Sequence, residues 1–529
     1  AGTLTYEDVT NVDSIGIATA RTGIDVTGGH IDLVDDSKIR FGDSDDLEIT
    51  HDTSQAVDLN MIKSASNLQL QIRADKLRII DTDATQDLIQ ADVDGSAKLF
   101  YAGSKKLETT GIGVSVSGSI EVTQEYPSIR PTLDLNFAAT KTLDRRITFT
   151  RDGVGTYVDN MGIIKYASNN TPRFDHDPVT GESLGLLIEE SRTNILGLSS
   201  DLTDNNGNDW DNINGTISIN QTTAPDGTTT AASFTASAGN AEHSVVFAEL
   251  VPTGNVTASV WIKPNTYSIV SFVMYGEANS TVSYNLSTKT VYNQGSNVSR
   301  ATITEYPNGW YRISATMNCT VSNSRVYRLF ASTGNFNAGG SESFYYWGPQ
   351  VESGSFETSY IPTYVSNTSV TRGVDTAIIK GTNFSSWYNA SESTIFFEST
   401  VAPVTNSKYF TFHGSDGGGT ELIEAAAVSG PGANIFTYAD STVHSNAQVT
   451  DSGATTLKYA AGIKANDINL AVNGTLGTTD TSSTQPDAID KLIIGNYSSG
   501  NYYLNTSIKK LSYYNKRLPN AQLQGLTQQ

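Results

Sequence analysis

The chain is 529 residues long, which at roughly 150 residues per domain calls for three or four domains. Its net charge of −21 excludes nucleic-acid binding through a broad basic surface and disfavours anionic membranes. The single cysteine, Cys319, excludes an intrachain disulfide and a cysteine-rich zinc site. Charged residues are only 17%, below the roughly 25% of ordinary globular chains, so Thr, Ser, Asn and Gly must build the polar surface. With 25 Tyr, 18 Phe and 5 Trp, this composition favours sheet, and the predicted fold class is all-β. No run approaches the ~18 apolar residues of a membrane span. Residues 1–8 show neither the basic start nor the apolar stretch of a signal peptide, so the reading is a chain without membrane insertion.

Residues 1–125 hold 22 acidic and 10 basic residues but only four aromatics, Tyr6, Phe41, Phe100 and Tyr101. Short alternating segments such as Lys38-Ile39-Arg40-Phe41, Leu68-Gln69-Leu70-Gln71-Ile72 and Leu77-Arg78-Ile79 read as narrow strands. Thr22-Gly23-Ile24-Asp25-Val26 returns as Thr110-Gly111-Ile112-Gly113-Val114. Such strands bury too little apolar area in one copy to offset their chain entropy. This predicts an elongated, three-fold β-shaft in which sister chains cover the aliphatic face, a homotrimer.

Tyr126-Pro127-Ser128-Ile129-Arg130-Pro131 marks a boundary, and 126–200 reads as a connector. From 201 to 365 the strands lengthen, as in Thr257-Ala258-Ser259-Val260-Trp261-Ile262-Lys263 and Tyr311-Arg312-Ile313-Ser314-Ala315-Thr316-Met317, predicting a two-sheet antiparallel jelly roll. Residues 366–529 predict a second sandwich, with Asn473-Gly474 as a hairpin turn. A short terminal helix follows, with Asn520 as its cap.

Several stretches are similar to bacteriophage tail-fibre proteins, particularly of phages infecting marine bacteria. Leu99-Phe100-Tyr101-Ala102-Gly103-Ser104-Lys105-Lys106-Leu107-Glu108 resembles a fibre-shaft repeat. Phe174-Asp175-His176-Asp177-Pro178 with Gly185-Leu186-Leu187-Ile188-Glu189-Glu190-Ser191-Arg192-Thr193-Asn194 resembles a signature that precedes a C-terminal head. Asn308-Gly309-Trp310-Tyr311-Arg312 and Trp347-Gly348-Pro349-Gln350 resemble carbohydrate-binding-module-like jelly rolls, while residues 508–526 resemble the end of a laminin-G/concanavalin-like sandwich. The resemblance implies a virion fibre, on tail or capsid, that attaches to host surface polysaccharide or lipopolysaccharide and joins other virion tail proteins. A purely structural fibre and a capsule depolymerase are the alternatives.

The chemistry-bearing residues give no catalytic pattern. Asp43-Ser44-Asp45-Asp46 and Asp81-Thr82-Asp83 offer oxygens of the kind calcium takes, without the spacing of a calcium loop; solvated turns are the default reading, so no cofactor is expected, and calcium is the alternative. Asp175-His176-Asp177 reads as a packed or hydrogen-bonded turn. The adjacent carboxylates Glu189 and Glu190 face opposite ways on a strand, six histidines show no ligand spacing, and no phosphate loop or nucleophile elbow occurs. The prediction is a non-enzyme. Carbohydrate-stacking candidates are Trp387, Tyr388, Tyr409, Tyr497, Tyr502 and Tyr503, each beside polar turns. Trp310 and Arg312 read as structural.

Overall fold

The computed structural model describes residues 24, 26–27, 30–41, 46–53, 59–64, 70–110, 113–117, 130–202, 210–275, 277–320, 323–330, 335–415, 420–427, 432–439, 442–450, 455–497 and 502–528. The architecture is all-β and every strand pairing is antiparallel. The longest described helix has eight residues, Asn520–Thr527, and no described helix is long and apolar enough to cross a membrane. The chain divides into two units, residues 1–123 and 124–529.

The first unit contains a three-stranded sheet, Lys38–Phe41, Leu47–Asp52 and Leu59–Ser64. It also contains a five-stranded meander of Lys76–Ile80, Asp87–Asp92, Ala97–Tyr101, Ser104–Thr110 and Gly113–Val116. Directly opposed residues share a sheet face. In the meander, Ile79, Ile89, Leu99, Leu107 and Val116 stand opposite one another in succession, an aliphatic row across all five strands. Ile39, Ile49 and Ile62 do the same across the smaller sheet. Among the described residues of this unit no hydrophobic side chain is buried; Ile62 is 61% and Leu99 46% exposed. The shortage of core read from the sequence is present among the described residues of this unit.

The second unit holds two sandwiches. In the C-terminal one, a seven-stranded sheet runs in the order Thr148–Thr150, Thr376–Lys380, Ile489–Ile494, Lys408–Ser415, Thr420–Ala427, Gly432–Ala439 and Thr442–Thr450. It faces an eight-stranded sheet centred on Glu392–Thr400, Thr456–Lys464 and Thr506–Tyr514. Phe397, Phe410, Phe412, Ile435, Tyr459 and Leu511 fill the space between them. Asn473 and Gly474, both with positive φ (46° and 83°), make the predicted hairpin turn.

Segment 126–200, read as a connector, differs. Leu133–Asn136 and Ser183–Ile188 pair with successive parts of Thr506–Tyr514, and Thr148–Thr150 pairs with Thr376–Lys380. Alternation explains this: Leu133 and Leu135 are buried in the sandwich core, while Asp134 faces outward to Lys510 at 3.4 Å. The C-terminal sandwich is thus built from both sides of the jelly roll, which is inserted into it. Asn520 also differs. It is the first residue of the terminal helix rather than its cap, a position taken by Pro519, and its side-chain oxygen accepts from Arg517 at 2.6 Å.

The inserted jelly roll pairs two six-stranded sheets. One includes Gly254–Pro264, Trp310–Cys319 and Ser343–Ser353; the other includes Ser244–Val251 and Ile269–Tyr275. Its neck is a ribbon in which outgoing Arg192–Asn194 pairs with returning Val370–Arg372. Here the Glu189–Asn194 motif finds its role. Glu189 Oε2 accepts from Arg173 at 2.7 Å and forms an ion pair with Arg372 at 2.8 Å, and Ser359 donates to the same carboxylate through N–H and Oγ. Asp375 pairs with Arg151 at 3.3 Å and with Arg173. Arg151 further donates to the carbonyls of Ala167, Ser168 and Thr171. Buried charges require such counter-ions, although the Nε atoms of Arg173 and Arg372 are left without a hydrogen-bond partner.

Candidate functional site

The predicted stacking residues separate sharply. Trp387 is core: its indole N–H donates to the Asn383 carbonyl at 2.7 Å and its ring meets Tyr513 and Phe384, each at 4.9 Å. Tyr388 lies half-buried on the same cluster, 4.7 Å from Phe384. Tyr409 is buried too, and a register shift is the cause. Lys408 stands opposite Ala426 and Phe410 opposite Ala425, so the extra residue lets Tyr409 and Phe410 both enter the core. The Tyr409 hydroxyl donates to the Gly432 carbonyl at 3.1 Å. These three side chains are not free to stack on a ligand. Tyr503 is half-buried with Glu190 near its phenol, and does not line the cleft described next.

Tyr497 and Tyr502 do come together, with ring centroids 6.4 Å apart at 82°. They border a cleft of about 500 Å³ on the outer face of the seven-stranded sheet. Because Ile423, Ala425 and Ile435 point into the core, alternation turns Leu422, Glu424, Phe436 and Tyr438 outward. The register sets Glu424 opposite Phe436 and Leu422 opposite Tyr438. The chain returns over this face after Ile489–Ile494. There the Lys408 N–H donates to the Tyr502 carbonyl at 2.8 Å, and Thr411 Oγ1 donates to the Asn496 carbonyl at 3.0 Å. Tyr502, 55% exposed, has a left-handed φ of 60°.

At the floor Lys408 Nζ lies 2.8 Å from Glu424 Oε1, with both side chains almost wholly buried. The ammonium also lies 5.5 Å from the Tyr502 ring centroid and 6.0 Å from that of Phe436, within range for cation–π attraction. The second carboxylate oxygen of Glu424 is buried with no hydrogen-bond partner; so are the side-chain oxygens of Asn434, on the neighbouring strand, and Asn496, beside Tyr497, neither of which lines the cleft. Burial raises the phenol pKa values of Tyr438 and Tyr497, and the nearby Glu424 charge adds to it. The cleft thus offers flat aromatic faces, an ammonium and one unused carboxylate oxygen. Sequence reasoning missed Lys408, Glu424, Phe436 and Tyr438; alternation in residues 420–427 and 432–439 carried the signal for the last three.

A second cavity, about 390 Å³, lies where the two sandwiches meet, lined by Asp175, Trp261, Tyr306, Arg312 and Glu357 among others. Arg312 lies 4.4 Å over the Trp261 ring and donates to the Thr358 carbonyl at 2.7 Å, while the Trp310 indole donates to the Thr223 carbonyl at 3.0 Å. Both hold the jelly roll together, in keeping with the structural reading. Asp175 accepts the Val158 N–H at 2.7 Å, and burial pushes its carboxyl up to about 6. His176 contacts the Val158 carbonyl at 2.9 Å, and Asp177 caps the turn through the N–H groups of Val179 and Thr180. This motif is packing and turn chemistry.

Of the calcium candidates, Asp81 accepts from the N–H groups of Thr85 and Gln86, as a turn-forming aspartate does. Positions 43–45 lie outside the described residues. Among the described residues no group of three His, Cys, Asp or Glu side chains comes together to hold a metal ion.

No protein-family model matches the chain, and no curated protein matches it. Among solved structures, it is similar to domains LG4-5 of the mouse laminin α1 chain, at 11% identity over 52% of this chain and 86% of that one, with a TM-score of 0.21. It is also similar to Trypanosoma rangeli sialidase in complex with the inhibitor DANA, at 12% identity over 56% of this chain and 60% of that one, with a TM-score of 0.23. The same sialidase in complex with sialic acid matches at 10% identity over 91% of this chain and 88% of that one, with a TM-score of 0.22.

Proposed function

We propose that this chain is a bacteriophage virion fibre of the tail-fibre type, and that its C-terminal sandwich attaches to a host surface glycan through the Tyr497–Tyr502 cleft. The observation that supports glycan attachment is the cleft itself. Exposed Tyr502 and half-buried Tyr497 stand at its rim above the Lys408–Glu424 pair. Sugar rings have apolar C–H faces that suit aromatic rings and hydroxyls that suit amides and carboxylates. A few placed polar groups within a mostly apolar cleft are the usual form of a small-ligand site.

The fibre half of the reading draws on the uncovered aliphatic rows of the first unit, which sister copies would bury. Three weak sites on one stalk raise effective affinity by about 10²–10⁴-fold where they engage together.

The test is binding of the full chain to an array of bacterial surface polysaccharides and lipopolysaccharides. Replacing Tyr497 and Tyr502 together with Ala should weaken binding about tenfold or more, the loss of an anchor worth about 1.4 kcal/mol. No binding to any polysaccharide overturns the attachment reading and favours a purely structural fibre. Release of oligosaccharide from a bound polysaccharide would replace adhesion with depolymerisation.

A further inference from the structure

We infer that the cleft takes a neutral pyranose through its hydroxyl groups and discriminates against sugars bearing a carboxylate. The inference rests on the glycan-binding reading above and adds the class of sugar.

Lys408 is the one cation among the described residues lining the cleft, and its charge is already engaged. It sits 2.8 Å from Glu424 Oε1 and faces the rings of Tyr502 and Phe436. An acidic sugar would have to share the ammonium with Glu424, which brings a second carboxylate against a buried one. The unused polar atom of the lining points the same way. The free oxygen of Glu424 accepts hydrogen bonds and cannot donate them. A hydroxyl supplies a proton to such an acceptor; a sugar carboxylate at neutral pH brings only more acceptors and a like charge. The net charge of −21 adds a long-range penalty of the same sign.

The test uses saturation-transfer NMR and calorimetry on the full chain. Its probes are the methyl glycosides of glucose, galactose, mannose and N-acetylglucosamine, set against methyl glucuronide and methyl galacturonide. The expected result is binding of at least one neutral glycoside, with its uronate counterpart about tenfold weaker or more. Glu424→Gln, which removes the repelling charge, should bring the ratio toward one; thermal unfolding checks that it folds, and should it not, the wild-type ratio decides alone. A uronate bound as tightly as its neutral counterpart, with both signals lost in Tyr502→Ala, overturns the discrimination while leaving a sugar-binding cleft. Binding of no glycoside, or binding indifferent to Tyr502→Ala, overturns the underlying reading and this one with it.

Discussion

Glu189 and Arg372 meet at 2.8 Å with both side chains buried, one on the chain leaving the C-terminal sandwich and the other on the chain returning to it. With Arg173 they close the neck from which the jelly roll emerges. Removing the shared negative charge leaves two buried guanidiniums short of a counter-ion, and breaking a buried pair this way costs about 3–5 kcal/mol. Glu189→Gln should therefore lower stability by that order in urea unfolding. Glu190, whose partner Arg192 leaves it 30% exposed, should cost less than about 1 kcal/mol on the same change. Equal effects would remove the neck from the account.

Much of this organisation was legible in the residues. Period-2 alternation located the long strands of both sandwiches, and Asn473-Gly474 located a hairpin, because these signals are local. The insertion was not legible. Leu133 and Leu135 lie in the segment read as a connector, and only a partner near the other end of the chain, Leu511 opposite Leu135, makes them core. The site was half legible for a related reason. Tyr502 and Tyr409 look alike as aromatics near polar turns, but a one-residue register shift buries Tyr409. Lys408 and Glu424 are chemically ordinary until pairing across two strands and burial set them against each other.

Two buried carboxyls of the second unit respond to acid in opposite directions. Arg372 and Arg173 outweigh burial at Glu189 and hold it at about 2, against an ordinary 4.5; its contribution is complete above pH 4.5 and is lost as pH falls toward 2. Burial raises Asp175 from 3.8 to about 6. The folded chain keeps that proton when the unfolded chain has released it, so stability declines as pH rises from about 4 through 6 and stays lower above. Asp175→Asn keeps an acceptor for the Val158 N–H and removes the ionisation. It should stabilise by about 1–3 kcal/mol at pH 7 and have little effect near pH 3.5. Urea titrations at the two pH values check this, and destabilisation at pH 7 would show that the ionised carboxylate has an unrecognised partner.

Trp387 and Tyr409 provide a contrast with the cleft residues. Trp387→Ala should cost about 3–5 kcal/mol, as truncating a large core aromatic does. Tyr409→Phe should cost about 1 kcal/mol by stranding the Gly432 carbonyl. Neither should change glycan affinity in protein that remains folded. A Tyr409→Phe variant of normal stability that loses binding would return Tyr409 to the site.

The aliphatic row from Ile79 to Val116 makes the association of sister chains measurable. Ile89 lies at its second position, opposite both Ile79 and Leu99. If copies cover this row, light scattering of the full chain should give three times the 56.7 kDa chain mass, and Ile89→Asp, which places a charge in that interface, should shift the mass toward a single chain. The single-chain fold should tolerate the change, because in it Ile89 is only partly covered and a carboxylate there still reaches water. A wild-type mass of 56.7 kDa would leave the row without sister chains to cover it and would remove the three-fold shaft from the proposal.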